Sequence, residues 1–294
     1  MKKCVDRKEI RQMKTSEFNS FIFAFKKLAK DGTLNRYIED HVKYWDHVHF
    51  TERFLVWHRY FILQFEKDLQ KAGSPYLPYW DWTLDYHRPW ESVVLQKQYF
   101  GAPQNDSGII IDGVYPKKNS GENLSRKYPR NGPTSEFVSL PVILKMMRNT
   151  KQFLTFSKDL EYGAHAIVHY VLSGDMNTKQ SPIDPLFWLH HAFCDKLWDI
   201  YQNETSFDLK FETSLILPWN ISIHDASKKD CTNYELLPTH RTGYDTQILL
   251  PPPLSTGGNI TDQLIVFSKI SQSDGSHLAF HWIPFFILFV KLFY

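Results

Sequence analysis

Residues Ser181–Trp198 read SPIDPLFWLHHAFCDKLW. Asp184 followed by Pro185 places an N-cap before a proline at the first helical position, so the spacing predicts a helix from Pro185 to about Gln202. On that helix His191, Asp195 and Trp198 fall on one face. Upstream, EYGAHAIVH (Glu161–His169) sets His165 and His169 four residues apart, on one face of a helical pattern from Leu160 to Leu172 that Ser173-Gly174 stops. Further back, HVKYWDHVHFTERFLVWHRYF (His41–Phe61) carries His41, His49 and His58. His41 sits on a pattern of Leu34, Tyr37, Ile38 and Trp45, and His58 on one of Phe54, Ile62, Phe65 and Leu69 that ends at Ala72-Gly73. His49 comes from the connection between them. A further amphipathic pattern, Phe18 to Leu28, precedes these and stops at Gly32.

Four helices with inward histidines, in two sequence-local pairs, argue for a mainly α fold: a four-helix bundle with a site in its core. Residues Tyr76 to about Thr150 read as long loops with short elements, and the stretch after Gln202, punctuated by Pro218, Pro238 and Pro251–Pro253, as a small irregular or β part. The expected organisation is a helical core over 1–204, a loop-rich remainder over 205–276 packed on it, and an apolar tail over 277–294. That tail is interrupted by His281, Pro284 and Lys291 and falls short of a bilayer span, so it reads as a docking segment or a non-native chain end rather than a membrane anchor.

Composition supports a large buried core. The chain has 294 residues, 43% hydrophobic and 22% charged, with 34 Lys+Arg against 32 Asp+Glu. A net charge of +2 is too balanced for an electrostatic nucleic-acid binder. There are 13 His but only 3 Cys, and Cys4, Cys194 and Cys231 form no CxxC pair, so the chemistry available is imidazole chemistry.

A single HxxxH is weak evidence for a metal. Two three-histidine clusters, each set among Trp and Phe that would bury uncompensated imidazoles, are much stronger. Ala166 stands where a zinc protease motif needs glutamate, and neither cluster carries the carboxylate of an iron triad or the thiolates of structural zinc. All-imidazole sets suit copper, or a catalytic zinc with an open position. Two adjacent sets suggest a coupled, redox-active pair.

FLVWHRYFILQFEKDL, LPYWDW and SPIDPLFWLHHAFCDKLW together resemble the tyrosinase and catechol oxidase family of type-3 copper proteins, over about Cys4 to Tyr201. The short spacing of the first cluster is similar to the compact fungal and invertebrate branch. The resemblance implies two copper ions, one held by His41, His49 and His58 and the other by His165, His169 and His191, with dioxygen as co-substrate. His190 is then a neighbour of the ligands, and His47 lies outside the family spacing. Arg59 and Asp195 occupy positions that brace the two halves, and Asp81 is structural.

The activity implied is oxidation of small o-diphenols to o-quinones with water as the other product. Monophenol hydroxylation needs a held water or base. Glu161 is the candidate to position it, whereas Ala166 replaces an asparagine the family often carries there. Tyr170 and Thr178, the latter beside Met176, fall at substrate-facing positions. Diphenol oxidation with weak or absent monophenol hydroxylation is therefore expected. A haemocyanin-like oxygen carrier and a metal-free scaffold are the alternatives. Between Val42 and Val48 no cysteine is present, so the Cys–His thioether of many relatives should be absent; Cys194 reads as a core thiol, and a Cys4–Cys231 bridge stays open. Five N-x-S/T sequons, at Asn105, Asn123, Asn203, Asn220 and Asn259, point to a secreted protein, although Met1–Met13 has no apolar signal region. The oligomeric state is not legible.

Overall fold

The computed structural model describes residues 5–104, 107–127, 136–204, 215–228 and 232–234. Cys4, Cys231, the sequons at Asn105 and Asn259, and the expected tail over 277–294 lie outside the described residues.

Helix α1 (Thr15–Lys30) buries Phe21, Ile22, Phe25 and Leu28, and Glu17 accepts the Lys14 N–H at its start. Gly32, at φ 85, turns the chain into α2 (Thr33–Lys43) in the left-handed region that favours glycine. The sequence pattern ran on through Trp45, but the helix ends at Tyr44 and restarts as the single turn α3 (Trp45–Val48). Helix α4 (Phe54–Lys71) follows and is buried along most of its length. Three turns of 3-10 helix lie between Trp82 and Leu95, and the two-residue strands β2 (Pro103–Gln104) and β3 (Ile109–Ile110) form a hairpin.

Helix α5 (Leu140–Asn149) and α6 (Phe153–Asp159) were not legible as helices; both fall at or beside a segment dominated by turn residues. From α6 the chain widens into a π turn (Leu160–His165) and continues as α7 (Ala166–Leu172). Two short 3-10 turns lead to α8 (Pro185–Glu204), where the Asp184 carboxylate accepts the Leu186 N–H as the sequence predicts.

Helix α4 packs most extensively on α8, and α2, the α6–α7 rod and these two surround the histidines. The seam is aromatic. Trp188 of α8 stacks on Phe65 at 3.5 Å and on Phe61 at 5.1 Å, and Tyr37 of α2 meets Trp188 edge-on at 5.6 Å. Such pairs contribute about 0.5–1.5 kcal/mol each beyond area burial. The later part of the chain is a hairpin of β4 (Leu215–Ile216) and β5 (Ile221–Ser222) with the one-turn α9 (Ile223–Ala226). It docks on α4, where Trp57 Nε1 donates to the Leu217 carbonyl at 2.8 Å. Strand β1 (Val5–Arg7) pairs in parallel with β6 (Thr232–Tyr234), in the register Val5↔Thr232 to Arg7↔Tyr234. The mainly helical reading holds. Among the described residues no helix is long and apolar enough to cross a membrane.

Candidate metal centre

His41 lies on the last turn of α2, His49 just past α3, and His58 on α4. One ring nitrogen from each lies within 4.8 Å of the others. On the opposite side His165, His169, His190 and His191 meet the same condition. The clusters touch: His58 stacks on His191 with ring centroids 4.3 Å apart and planes at 11°. His47 belongs to neither cluster.

Hydrogen bonds decide which nitrogen each ring offers. Nδ1 of His58 donates to the Phe54 carbonyl at 2.8 Å, His165 to Glu161 at 3.0 Å, and His49 to Trp45 at 3.2 Å. His41 donates to Lys179 at 2.7 Å and His169 to Met176 at 2.5 Å. A carbonyl oxygen only accepts, so each of these rings carries its proton on Nδ1 and presents a lone pair at Nε2. Nε2 of His41, His58 and His165, and both nitrogens of His191, are buried with no partner. Leaving that many polar atoms unsatisfied is costly, and a metal ion is the group that satisfies several lone pairs at once.

Burial keeps the rings neutral. It lowers the His41 pKa to about 3 and that of His169 to about 4, and holds His49, His58, His165, His190 and His191 well below 6.5. Neutral imidazole is the form that binds metal.

Distance alone admits His190 to the second cluster; hydrogen bonding separates it. The His190 ring lies against the Cys194 sulfur, with Nε2 at 3.9 Å and Nδ1 at 4.0 Å. His191 is instead wholly unpartnered and faces the first cluster. Cys194 is a buried thiol whose pKa burial raises.

Two phenylalanines that sequence reasoning did not single out wall the centre. Phe54 approaches His58 and His165, each at 4.7 Å, while Phe187 approaches His191 at 4.2 Å and His41 at 5.1 Å. Each precedes a cluster histidine by four residues, which was the available signal. Trp45 stacks on His49 at 3.7 Å.

Arg59 of α4 and Asp195 of α8 pair, Arg59 Nε donating to Asp195 Oδ1. The pair is wider than expected. Asp195 also takes Tyr234 Oη–H and Arg7 at 3.4 Å, and Arg7 holds Glu66 through two bonds of 3.0 and 2.7 Å. Asp81 is buried and accepts from Thr83, a structural role.

Glu161 is 2% exposed. One oxygen accepts the Phe50 N–H at 2.8 Å, and the other is buried without a partner. Burial pushes its pKa up to about 8, against the lowering effects of that bond and Lys158. Ala166 is half-buried one residue beyond His165, and Tyr170 is 40% exposed. Thr178 is exposed, its hydroxyl donating to the Asp175 carbonyl at 2.9 Å, while Met176 is fully buried.

Residues 22–204 match the sequence profile described as the common central domain of tyrosinase. A tyrosinase-like protein of Diaporthe leptostromiformis is 28% identical over 237 residues, covering 67% of this chain and 63% of its own length. A tyrosinase of Streptomyces lincolnensis is 32% identical over 178 residues, 52% of this chain and 64% of its own. The chain therefore spans less than two thirds of the length of these curated relatives. In fold it is similar to a functional unit of octopus hemocyanin, with TM-score 0.58, 18% identity, and 79% of this chain and 68% of that one covered. It is also similar to a polyphenol oxidase from Thermothelomyces thermophila, with TM-score 0.55, 20% identity, and 68% and 70% covered. These are type-3 copper proteins, whose members use a dinuclear copper site. The profile match over most of the helical core, with the two histidine clusters inside it, places this chain in the tyrosinase family.

Proposed function

We propose that the chain oxidises o-diphenols to o-quinones with dioxygen, and hydroxylates monophenols weakly or not at all. The observation that carries this is the pair of buried, neutral histidine clusters whose unpartnered nitrogens converge across the His58–His191 stack. His41, His49 and His58 would hold one copper ion, and His165, His169 and His191 the other. Bound copper supplies dioxygen binding and the redox couple; two catechols reduce one dioxygen to two waters. Main-chain carbonyls fix five of the six imidazoles, all but His191, in the metal-binding tautomer, and Phe54 and Phe187 exclude water from the rings.

Glu161 is held by Phe50 N–H through one oxygen, which leaves its second oxygen to hold a water that takes a phenolic proton. The Ala166 methyl adds no second polar group, which supports weak monophenol hydroxylation. Tyr170 and Thr178 would stand at the substrate side. Small phenols are the expected partners. We also infer a copper-binding core over 1–204 with 205–276 packed on it and a separate apolar tail over 277–294. A secretory location is supported by the exposure of Asn203 and Asn220. Asn123 is less available, because its amide donates to the Ile110 carbonyl at 2.6 Å.

The test is oxygen consumption and quinone absorbance by the copper-loaded chain, with catechol and a monophenol in separate runs. Rapid turnover of catechol alone supports the reading. Reversible oxygen uptake without quinone would favour a carrier, the reading for which the fold likeness to the octopus hemocyanin unit speaks.

A further inference from the structure

The engaged imidazoles divide by where their carbonyl partner sits. His49, His58 and His165 bond to the residue four positions earlier in their own segment. His41 and His169 do not. They bond to Lys179 and Met176, three residues apart in the connector from Ser173 to Asp184 that joins α7 to α8. One imidazole from each cluster is thus aimed by the same short segment.

That segment has only two single turns of 3-10 helix, Gly174–Asn177 and Ser181–Ile183, so its own backbone does little to fix those carbonyls. It is instead clamped against the extended stretch Asn123–Lys127. Asp175 N–H donates to the Ser125 carbonyl at 2.9 Å, while Asp175 Oδ2 accepts Ser125 N–H at 2.6 Å and its hydroxyl at 3.1 Å. Lys118 Nζ lies 2.8 Å from the other carboxylate oxygen. At the far end Arg126 makes two bonds of 2.7 Å to Asp184, both side chains fully buried. The approach is close enough that a Cβ on Gly174 would lie 2.3 Å from the Ser125 oxygen.

We propose that the Ser173–Asp184 connector is one strut setting an imidazole in each half of the centre, with Asp175 as the positioning residue that fixes it. This rests on the ligand assignment proposed above. Asp175 bonds to neither of the two rings in these contacts; it acts through the carbonyls of Met176 and Lys179. Loosening the clamp releases both rings together, so both copper ions are lost together.

Two measurements on the full chain test this. In the metal-free protein the Nδ1–H protons of His41 and His169, read by NMR on nitrogen-labelled histidine, exchange faster in Asp175→Ala while those of His58 and His165 stay as in wild type. In the copper-loaded protein, Asp175→Ala gives up both ions to a chelator about tenfold faster, without a plateau at one ion per chain. Asp175→Asn keeps the oxygen that accepts from Ser125 but loses the Lys118 pair, and is expected to speed release only about threefold. Unchanged release, a plateau at one ion, or equal loosening of all four protons overturns the strut. Should Asp175→Ala fail to fold, Lys118→Met, which removes one contact, is expected to speed release about threefold, and unchanged release overturns the proposal. Wild type holding two ions beside an unaffected Asp175→Ala sinks the strut alone, whereas a wild type that holds none sinks the ligand assignment and the strut with it.

Discussion

Replacing Arg59 by Met tests whether the two halves of the centre are tied by a buried charge network. Arg59 follows His58, and its guanidinium is buried between α4 and α8. It bonds Asp195, Gln202 at 2.6 Å and the Ser227 carbonyl at 2.8 Å, and lies 3.5 Å from the Trp198 ring centre. Removing one member of a buried pair costs about 3–5 kcal/mol, because the remaining charge loses its partner. Here Asp195 keeps Tyr234 and a longer contact to Arg7, which puts the loss at the lower end. The methionine stem preserves packing but not the cation–π contact, worth about 1 kcal/mol. The expected cost is about 4 kcal/mol, lowering the melting temperature by about 10 °C. Thermal and urea unfolding of the metal-free chain measures it without stabilisation by bound copper. Arg59→Met with Asp195→Leu removes both charges, Arg7 retaining Glu66, and is expected to cost about 2 kcal/mol less than the sum of the single changes. A single variant within about 1 kcal/mol of wild type, or strict additivity in the double, refutes the reasoning.

Gly174→Ala forces a Cβ to 2.3 Å from a backbone oxygen at φ +56 and is expected to lower the urea midpoint by the equivalent of at least about 2 kcal/mol; a neutral effect would contradict the close approach. Acid should destabilise the metal-free chain, because imidazoles held below 6.5 by burial bind fewer protons folded than unfolded, so stability falls as pH drops through 6.5; equal unfolding midpoints at pH 7.5 and 5.5 would count against neutral burial. Glu9 runs the other way. Burial lifts its carboxyl to about 7 despite Arg11, so its contribution is full below about 4.5 and lost as pH rises through 7; the stability of wild type relative to Glu9→Gln should decline over that window, and a flat difference refutes it. Ala166→Asn is expected to raise the ratio of monophenol to catechol turnover; an unchanged ratio removes the role given to Ala166.

The core helices were legible because their apolar spacing, the Asp184-Pro185 cap and the Gly32 and Ala72-Gly73 stops agree with one another. His41, His58, His165, His169 and His191 could be placed for the same reason, as each sits in phase with residues that are buried. Partners joined across long stretches of chain were not legible. Arg7 and Tyr234 reach Asp195 through a parallel strand pair, and Arg126 reaches Asp184 from a loop; no local periodicity announces either. Nor did the sequence show that α2 breaks at Tyr44, because Trp45 keeps helical phase while stacking on His49 from a new turn.

The π turn at Leu160–His165 means that the rod carrying His165 and His169 holds one residue more than an α-helix of that length would use. An α-helix turns by about 100° and advances about 1.5 Å for each residue. Deleting Gly163 would therefore take out the surplus residue and let the rod close into a regular α-helix, with His165 and His169 kept on the face that meets His191. A deletion in α7 between His165 and His169 would instead swing His169 by about 100° relative to His165. Loss of a residue is thus absorbed in the π turn and not in α7, and copper stoichiometry reads the difference: two ions kept after the first deletion, fewer after the second.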